Sequence, residues 1–404
     1  MIFKIAWRNI WRNKVRSLIL ILSIVLGIWA GAFVMSFYWG MSLQQVEQTI
    51  ASQLAHFQIH HPAFKENFDI KYTIPDAENI ISDLQSNAEI KAYSERLVAV
   101  SMIASANASR GIMLYGVDPL HEDAVTGLKD RMVEGQYLDD SLANRVIIGQ
   151  GLAEKLKVKV NNKLVFTFQD ATGEIIAAAF RISGLYRSNN SMIEESVVYT
   201  EIKSLRPLLG ISSGNHEIAV LLKDAQQADL IALQYVEKYP DAFTETWKQI
   251  APELRMIIES FSQYMYIIIF IILIALIFGI VNTMLMAIME RTRELGVLMA
   301  VGMNRKRIFS MILVETMMLG CIGGPLGLLL AFTTTSITAH TGINLAMFTE
   351  GFERYGYSAV VYPQMEVRYY FEIFSMVIIA ALISALFPAW RALKLKPVTA
   401  IRKI

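Results

Sequence analysis

The sequence YIIIFIILIALIFGIV spans residues 266–281 and contains no charged side chain. It is the centre of a longer uncharged stretch between Glu259 and Glu290. A helix crosses the hydrocarbon core of a bilayer with roughly 20 apolar residues, at about 1.5 Å per residue. Residues 260–289 are therefore predicted to form a transmembrane helix, and the rest of the chain is interpreted around this span.

Three further stretches satisfy the same length criterion, at residues 17–40, 308–337 and 372–390. The first remains apolar as far as Trp39, well past the roughly 7–15-residue core of a cleavable signal peptide. Only 18% of all residues are charged, whereas a soluble domain carries about 25%. We therefore predict an α-helical membrane protein with four transmembrane helices, and we expect the first span to be retained.

Lysine and arginine are concentrated in three short segments, 1–16, 290–307 and 391–404. Acidic residues outnumber basic ones in the long segment 41–259 and in the shorter segment 338–371. Cytoplasmic loops of membrane proteins carry an excess of Lys and Arg. Both termini and residues 290–307 are therefore predicted to be cytoplasmic, and the two acidic segments extracytoplasmic. The net charge of +1 gives no indication of nucleic-acid binding.

Residues 1–16 carry two stripes that recur every four residues: the aromatic Phe3, Trp7 and Trp11, and the basic Lys4, Arg8 and Arg12. Aromatic rings beside cations are typical of a helix that lies in the headgroup region, with the cations toward anionic lipid. We therefore predict an interfacial amphipathic helix that contacts membrane lipids. The alternative is an ordinary cytoplasmic segment leading into the first span.

The segment 41–259 has the mixed pattern of an α/β domain. Strands are predicted at His56–His60, Arg96–Ala104, Ile112–Gly116, Arg145–Ile148, Lys163–Phe168, Ile175–Leu185, Ser196–Tyr199 and Glu217–Leu222. Helices are predicted at Asp76–Gln85, Gln150–Leu156, Ala225–Lys238 and Thr244–Ser260. We expect the two ends, Met41–Leu54 and Thr244–Ser260, to prolong the first two spans as a helical stalk.

The motifs of several enzyme classes are missing from the sequence. It contains no G-x-x-x-x-G-K-[ST] phosphate loop, and no G-x-S-x-G, H-E-x-x-H or C-x-x-C. His56, His60 and His61 suggest a metal site, but zinc needs three or four converging ligands, and the sequence offers no clear companion. We therefore expect surface histidines, no bound metal or cofactor, and no enzymatic activity in this chain.

Glu315 interrupts the third span about two turns from its start, where a carboxylate is costly unless it is paired, neutral or facing a cavity. A static hydrogen bond to Asn282 or Thr283 on the second span is favoured over a contact that changes during transport. Four glycines follow Glu315 at three- and four-residue spacing: Gly320, Gly323, Gly324 and Gly327. Small residues at this spacing indicate close helix packing, within the chain or at a dimer interface.

The loop 290–307 predicts a short amphipathic helix, a stop at Gly302 and a basic segment that enters the third span. Leu295, Leu298 and Met299 share one face of that helix, which Arg291 and Glu294 flank. We interpret it as a docking element for a cytoplasmic partner. The alternative is a simple turn held by local charge pairs.

Five blocks carry a resemblance to a known family. They are residues 7–17, the loop 290–302, Glu315 with the glycines after it, residues 387–392 followed by 396–402, and the weaker block 146–156. Together they resemble permeases of the MacB/FtsX-like (type VII) ABC transporter superfamily, closest to the lipoprotein-releasing LolC/LolE type. The fused ATPase of MacB itself has no counterpart here.

The resemblance implies that a separate ABC ATPase subunit binds ATP and Mg and docks on the loop. The residues that it assigns to this docking are Glu290, Arg291, Arg293, Glu294, Leu295, Gly296 and Met299. It further implies a dimer with a second copy or a homologue, in the bacterial inner membrane. ATPase closure would reach the extracytoplasmic domain by mechanotransmission.

The leading functional hypothesis is extraction of a lipoprotein or another amphiphile from the outer leaflet, for transfer to a periplasmic carrier. The outer ends of the first two spans are expected to face this substrate, at Met35, Trp39, Gln263 and Tyr266. One alternative is MacB-like export of a drug or peptide with a periplasmic adaptor. Another is FtsX-like regulation of a cell-wall hydrolase.

Overall fold

A computed structural model describes residues 2–139, 144–188, 190–345 and 360–394, with the side chains of all of these except Ile2 and Arg16. Residues 346–359 of the predicted segment 338–371 and residues 395–404 of the segment 391–404, including Lys396 and Arg402, lie outside the described residues. The chain divides into two compact units. We call them the helical unit (residues up to Met41, Glu259–Asn344, and from Val360 onward) and the inserted domain (Ser42–Ile258).

The helices are bounded as follows in chain order: α1 (Ile2–Arg12), α2 (Lys14–Thr49), α3 (Phe64–Asn67), α4 (Ala77–Ser86), α5 (Pro119–Thr126), α6 (Gln150–Leu156), α7 (Ser191–Ser196), α8 (Ile202–Leu205), α9 (Ala228–Lys238), α10 (Trp247–Ile250), α11 (Pro252–Glu290), α12 (Thr292–Ala300), α13 (Arg305–Thr341) and α14 (Val367–Leu393). A π-helical turn, Ile50–Leu54, follows α2 directly.

The strands are β1 (Phe57–His60), β2 (Ile90–Ala104), β3 (Ser109–Val117), β4 (Met132–Gly135), β5 (Arg145–Gly149), β6 (Lys163–Gln169), β7 (Ile175–Tyr186), β8 (Val197–Glu201), β9 (Glu217–Leu222), β10 (Phe243–Thr246), β11 (Ile343–Asn344) and β12 (Val360–Val361). Of these, β11 and β12 form a separate two-stranded sheet.

Among the described residues, four helices are long and apolar enough to cross a membrane: Ser17–Leu54, Pro252–Glu290, Arg305–Thr341 and Val367–Leu393. The predicted fold class, four membrane helices with an α/β domain between the first two, is confirmed. The first two helices run past the residues assigned to the spans, since α2 ends only at Thr49 and α11 begins already at Pro252.

One helix prediction is wrong at its start. Residues Thr244–Thr246 belong to strand β10, which pairs antiparallel with β1 so that Phe57 lies opposite Thr246. Thr244 and Thr246 are buried while Phe243 and Glu245 are not, and β-branched residues with this period favour a strand. The long helix therefore begins at Pro252, a favourable first helical residue.

Within the helical unit, the four glycines of α13 lie on two faces of the helix. A Cβ atom added to Gly320 or Gly324 would contact Ile378 or Phe374 of α14. One added to Gly323 or Gly327 would contact Ile24 or Ile28 of α2. The close packing predicted from their spacing thus occurs within the chain, and α13 separates α2 from α14 at this level.

We predict that Gly327→Leu destabilises the helical unit, because a Cβ there would lie 2.9 Å from the Cβ of Ile28 and 3.1 Å from the carbonyl oxygen of Val25. Overpacking of this kind costs about 1–3 kcal/mol, which a lowered midpoint of thermal unfolding in detergent would report. Gly279→Leu in α11 is the matched control, because nothing lies within 4 Å of an added Cβ there. Equal midpoints for the two variants would contradict the assigned packing.

The inserted domain contains a ten-stranded mixed sheet in the described part of the chain. Six of its strands pair in a closed ring in the order β2, β3, β8, β5, β7 and β6, because β6 pairs with both β7 and β2. The long strand β2 makes this possible, since its first half pairs with β9 and its second half with β3 and β6. Buried residues of the ring, including Leu97, Phe166 and Phe180, form one core.

The other end of the sheet, β1 and β9, packs against α4 and α9 in a second core that contains Phe57, Ile80, Val220 and Ile231. Every strand predicted from the sequence is present in this domain. Strands β4 and β10 were not predicted.

A buried ion-pair cluster lies between the end of the π-helical turn and the sheet. Arg96 of β2 donates two hydrogen bonds to Glu122 of α5, at 2.9 and 2.8 Å, and one to Glu217 of β9, at 2.7 Å. It also donates to the carbonyl oxygen of Gln53 at 3.1 Å. Breaking such a buried cluster leaves unpaired charges and costs about 3–5 kcal/mol, so it holds the turn firmly to the domain.

Candidate coupling site

Helix α12 occupies the loop in which the sequence predicted a docking helix. It begins at Thr292, separated from the end of α11 by Arg291 alone, and Gly302 lies beyond its end with φ of 102°. L side chains rarely adopt this left-handed conformation, so glycine permits the turn here. The side chain of Asn304 then caps α13 by accepting a hydrogen bond from the Lys306 N–H at 3.2 Å.

Arg291, between α11 and α12, connects three elements of the helical unit. Its Nη1 donates to both carboxylate oxygens of Glu315 on α13, at 3.1 and 3.5 Å. Its Nη2 donates to the carbonyl oxygen of Asn9 on α1 at 2.9 Å. The Arg291 and Glu315 side chains are 13% and 11% exposed. A charged hydrogen bond with so little exposure is much stronger than a surface ion pair.

The prediction for Glu315 was wrong about its partner, which is Arg291. Thr283 donates instead to the carbonyl oxygen of Gly279, at 2.8 Å, and Asn282 is exposed on α11. Because the chain reverses direction through α12, the start of α13 lies beside the end of α11. Arg291 can therefore reach a carboxylate that the sequence places inside the third span.

Helix α1 is a component of this site that sequence analysis missed. In addition to the Asn9 contact, Arg12 forms an ion pair with Glu294 of α12. A groove of about 970 Å³ separates the two helices and is lined by Trp11, Leu298 and Glu315 among others. The partners in each contact lie about 280 residues apart in sequence, so no local pattern could have indicated them.

The predicted docking residues fall into two groups. Glu290, Arg293 and Glu294 are exposed, whereas Leu295 and Gly296 are buried and Met299 packs against the bundle core. Leu295 and Gly296 are therefore not available to a partner, and their predicted role has to be revised. The apolar face of α12 was expected to point outward, but it turns inward because it has the bundle core to pack on.

The outward surface of α12 and of Val301, which directly follows it, combines the predicted Arg293 and Glu294 with three further residues. We call it the exposed α12 face: Arg293, Glu294, Val297, Ala300 and Val301. Arg293, Val297, Ala300 and Val301 recur at helical spacing along one side. Val297 is 45% and Val301 83% exposed. Two exposed valines among charged residues are suited to contact with another protein.

Of the four residues predicted to face the substrate, Met35 is fully buried in the helix bundle, so this part of the prediction is wrong. Trp39 is half-buried, with its ring centroid 4.3 Å from that of Phe261. Gln263 and Tyr266 are exposed on α11. The Tyr266 hydroxyl donates to Glu372 at 3.3 Å.

The histidines in and beside β1 were expected at the surface, yet His56, just before the strand, and His60, at its end, are buried. His60 Nε2 lies 2.7 Å from Glu245, and Lys65 Nζ lies 2.8 Å from the same carboxylate oxygen. The hydrogen bond with His60, followed by the contact with Lys65, lowers the pKa of Glu245 to about 2. These histidines thus take part in the packing and polar contacts of the inserted domain.

Comparison with known proteins identifies the family. The MacB-like periplasmic core domain matches residues 17–234, which is more than half of the chain, and the FtsX-like permease C-terminal domain matches residues 266–397. The chain belongs to the MacB/FtsX-like permeases. The resemblance deduced from the sequence is thereby confirmed, and the helical unit is that of a membrane permease.

Two relatives of this permease are lipoprotein-releasing system transmembrane proteins. LolC of Neisseria meningitidis is 23% identical over 63% of this chain and 63% of its own length. LolE of Haemophilus influenzae is 23% identical over 80% of each. The chain thus spans somewhat less than two thirds of the LolC relative. The solved periplasmic region of MacB from Actinobacillus actinomycetemcomitans matches with a TM-score of 0.37 and 13% identity, over 52% of this chain and 97% of that one.

We predict that Arg291→Met lowers the thermal stability of the permease more than Glu315→Gln does. The first removes a cation that pairs with a nearly buried carboxylate, and breaking a buried pair costs up to about 3–5 kcal/mol. The second keeps a hydrogen-bonding oxygen opposite the guanidinium. Unfolding midpoints in detergent measure both, with Arg305→Met, an exposed arginine at the start of α13, as the control. A control that loses as much stability as Arg291→Met would contradict the assignment.

Proposed function

We propose that this permease is one subunit of an ATP-driven transporter that extracts a lipoprotein or another amphiphile from the outer leaflet of the bacterial inner membrane. A periplasmic carrier would then receive the substrate. Both termini and α12 would be cytoplasmic, in line with the excess of Lys and Arg in these segments.

The observation that carries this proposal is the exposed α12 face on a helix that Arg291 joins to the bundle. A partner ATPase would bind that face and supply the ATP and Mg sites for which this chain has no phosphate loop. Movement of α12 would pass through Arg291 to α13 and α1, because a nearly buried ion pair resists separation. A second permease copy or a homologue would complete the transporter.

Two observations favour an amphiphilic substrate. The relatives named for lipoprotein release align with 63% and 80% of this chain. Gln263 and Tyr266 are polar side chains exposed on α11, where a polar group is unfavourable against acyl chains alone. MacB-like export with a periplasmic adaptor is the second candidate, favoured by the match of residues 17–234 to the MacB-like periplasmic core domain.

We predict that Val297→Asp combined with Val301→Asp abolishes co-purification of the ABC ATPase subunit co-expressed with the permease. A carboxylate on the exposed α12 face would have to be desolvated in the interface, so the complex should weaken at least tenfold. Val367→Asp is the matched control, since Val367 is also an exposed valine in a helix and lies at the start of α14. Undiminished co-purification of the double variant would refute the docking assignment.

We also predict that a photo-crosslinking amino acid at Gln263 or Tyr266 captures acylated protein in native membranes. The same group at the buried Met35 is the control, and it should capture only residues of the permease itself. Capture of acylated protein supports lipoprotein extraction. Capture of unacylated peptide or drug alone would contradict it and favour MacB-like export.

A further inference from the structure

A second groove in the helical unit lies between α1 and α13 and shares only Trp7 and Arg8 with the lining of the coupling-site groove. It has a volume of about 600 Å³ and is lined by Phe3, Lys4, Trp7 and Arg8 of α1 with Cys321 and Ile322 of α13. Trp7 is 47% and Phe3 66% exposed, so the aromatic side chains stay open to the surroundings. Apart from Lys4 and Arg8, the lining residues are apolar or weakly polar.

The basic side chains of α1 divide into two kinds. Arg12 is paired with Glu294. Lys4 and Arg8 are exposed and lie one helical turn apart on the same side. Within the described part of the chain neither forms an ion pair, and α1 contains no acidic residue. Two adjacent cations at the rim of an apolar groove complement a ligand with an anionic head and an apolar body.

The position of the groove along α13 agrees with such a ligand. Glu315 pairs with Arg291 of the loop 290–307, so charged side chains are still paired at the depth of Glu315 along α13. Cys321 lies six residues farther along α13, which corresponds to roughly 9 Å along the helix axis. That lies within the roughly 5–10 Å to which the apolar face of an interfacial helix is buried at the boundary between headgroups and acyl chains. Cys321 and Ile322 are thus placed to contact an acyl chain.

From this arrangement we infer that the groove binds one anionic phospholipid of the phosphatidylglycerol class, from the leaflet beside α1. Lys4 and Arg8 hold its phosphate, and an acyl chain packs against Trp7, Cys321 and Ile322. A zwitterionic lipid binds less well, because its own amine is repelled by the two cations. Since α1 also contacts the coupling site through Asn9 and Arg12, the bound lipid holds that helix in place.

The single cysteine of the chain, Cys321, provides a direct test. The full-length permease is labelled there with bimane, an environment-sensitive fluorophore, and placed in phosphatidylcholine nanodiscs. A minor fraction of the lipid carries bromine on its acyl chains and is either phosphatidylglycerol or phosphatidylcholine. Brominated phosphatidylglycerol should quench the label at a concentration on the order of tenfold to 30-fold lower than brominated phosphatidylcholine, as two basic contacts predict.

Lys4→Gln combined with Arg8→Gln should remove this preference. The matched control, Lys14→Gln combined with Arg305→Gln, removes the same charge from exposed residues outside the groove. This control should retain the preference for phosphatidylglycerol. Native mass spectrometry of the unlabelled protein should show one retained phosphatidylglycerol that the first variant loses. Unfolding midpoints in phosphatidylcholine establish that both variants remain folded.

Three results would overturn the proposal. One is equal quenching by the two lipids, and another is an unchanged preference in the Lys4 and Arg8 variant. The third is loss of ATPase co-purification in that variant with an unaltered lipid preference, which would show that the cations bind protein.

Discussion

The guanidinium of Arg291 is shared between a carboxylate of α13 and a carbonyl oxygen of α1, and much of the helical unit depends on this arrangement. A carboxylate such as that of Glu315 is costly inside an apolar helix bundle unless a cation lies beside it, and Arg291 supplies such a cation. Without the carbonyl of Asn9, part of the guanidinium would lack an acceptor. The side chain of Arg291 therefore gives hydrogen-bond partners to the Glu315 carboxylate and the Asn9 carbonyl, and it connects the start of α12 to α13 and α1. These contacts position α12.

This arrangement explains why the apolar face of α12 could be recognised in the sequence but not correctly interpreted. The spacing of Leu295, Leu298 and Met299 indicates an amphipathic helix whether its apolar face meets the chain itself or a partner. Only the packing of α12 on the helix bundle shows which of these two surfaces the apolar face contacts. Leu295 is buried against the bundle, so the face contacts the chain itself. For the same reason Met35, read as an accessible residue near the end of a span, lies in the core.

Features that depend on local pattern were predicted well. Long apolar runs, of which only the third is interrupted by a charged residue, Glu315, identified the four membrane helices, and period-two alternation identified the long strands of the inserted domain. Features that depend on distant contacts were not. The ion pair between Glu315 and Arg291 and the Arg96 cluster each join residues that only the fold brings together. The contacts of Glu245 in β10 with His60 and Lys65 likewise connect residues far apart in the chain. The four-residue strand β10 itself became recognisable only through its pairing with β1.

The register of β1 has a consequence for biogenesis. This strand is the first of the inserted domain to be synthesised, yet both of its neighbours, β9 and β10, are among the last. Its backbone groups on one side therefore stay unpaired until translation has passed β9, and those on the other side until it has passed Thr246, near the end of the insert. Pairing between such distant segments is slow and leaves strand edges exposed meanwhile. The nascent insert thus has to be protected from aggregation until the arrival of its final strand permits the sheet to be completed.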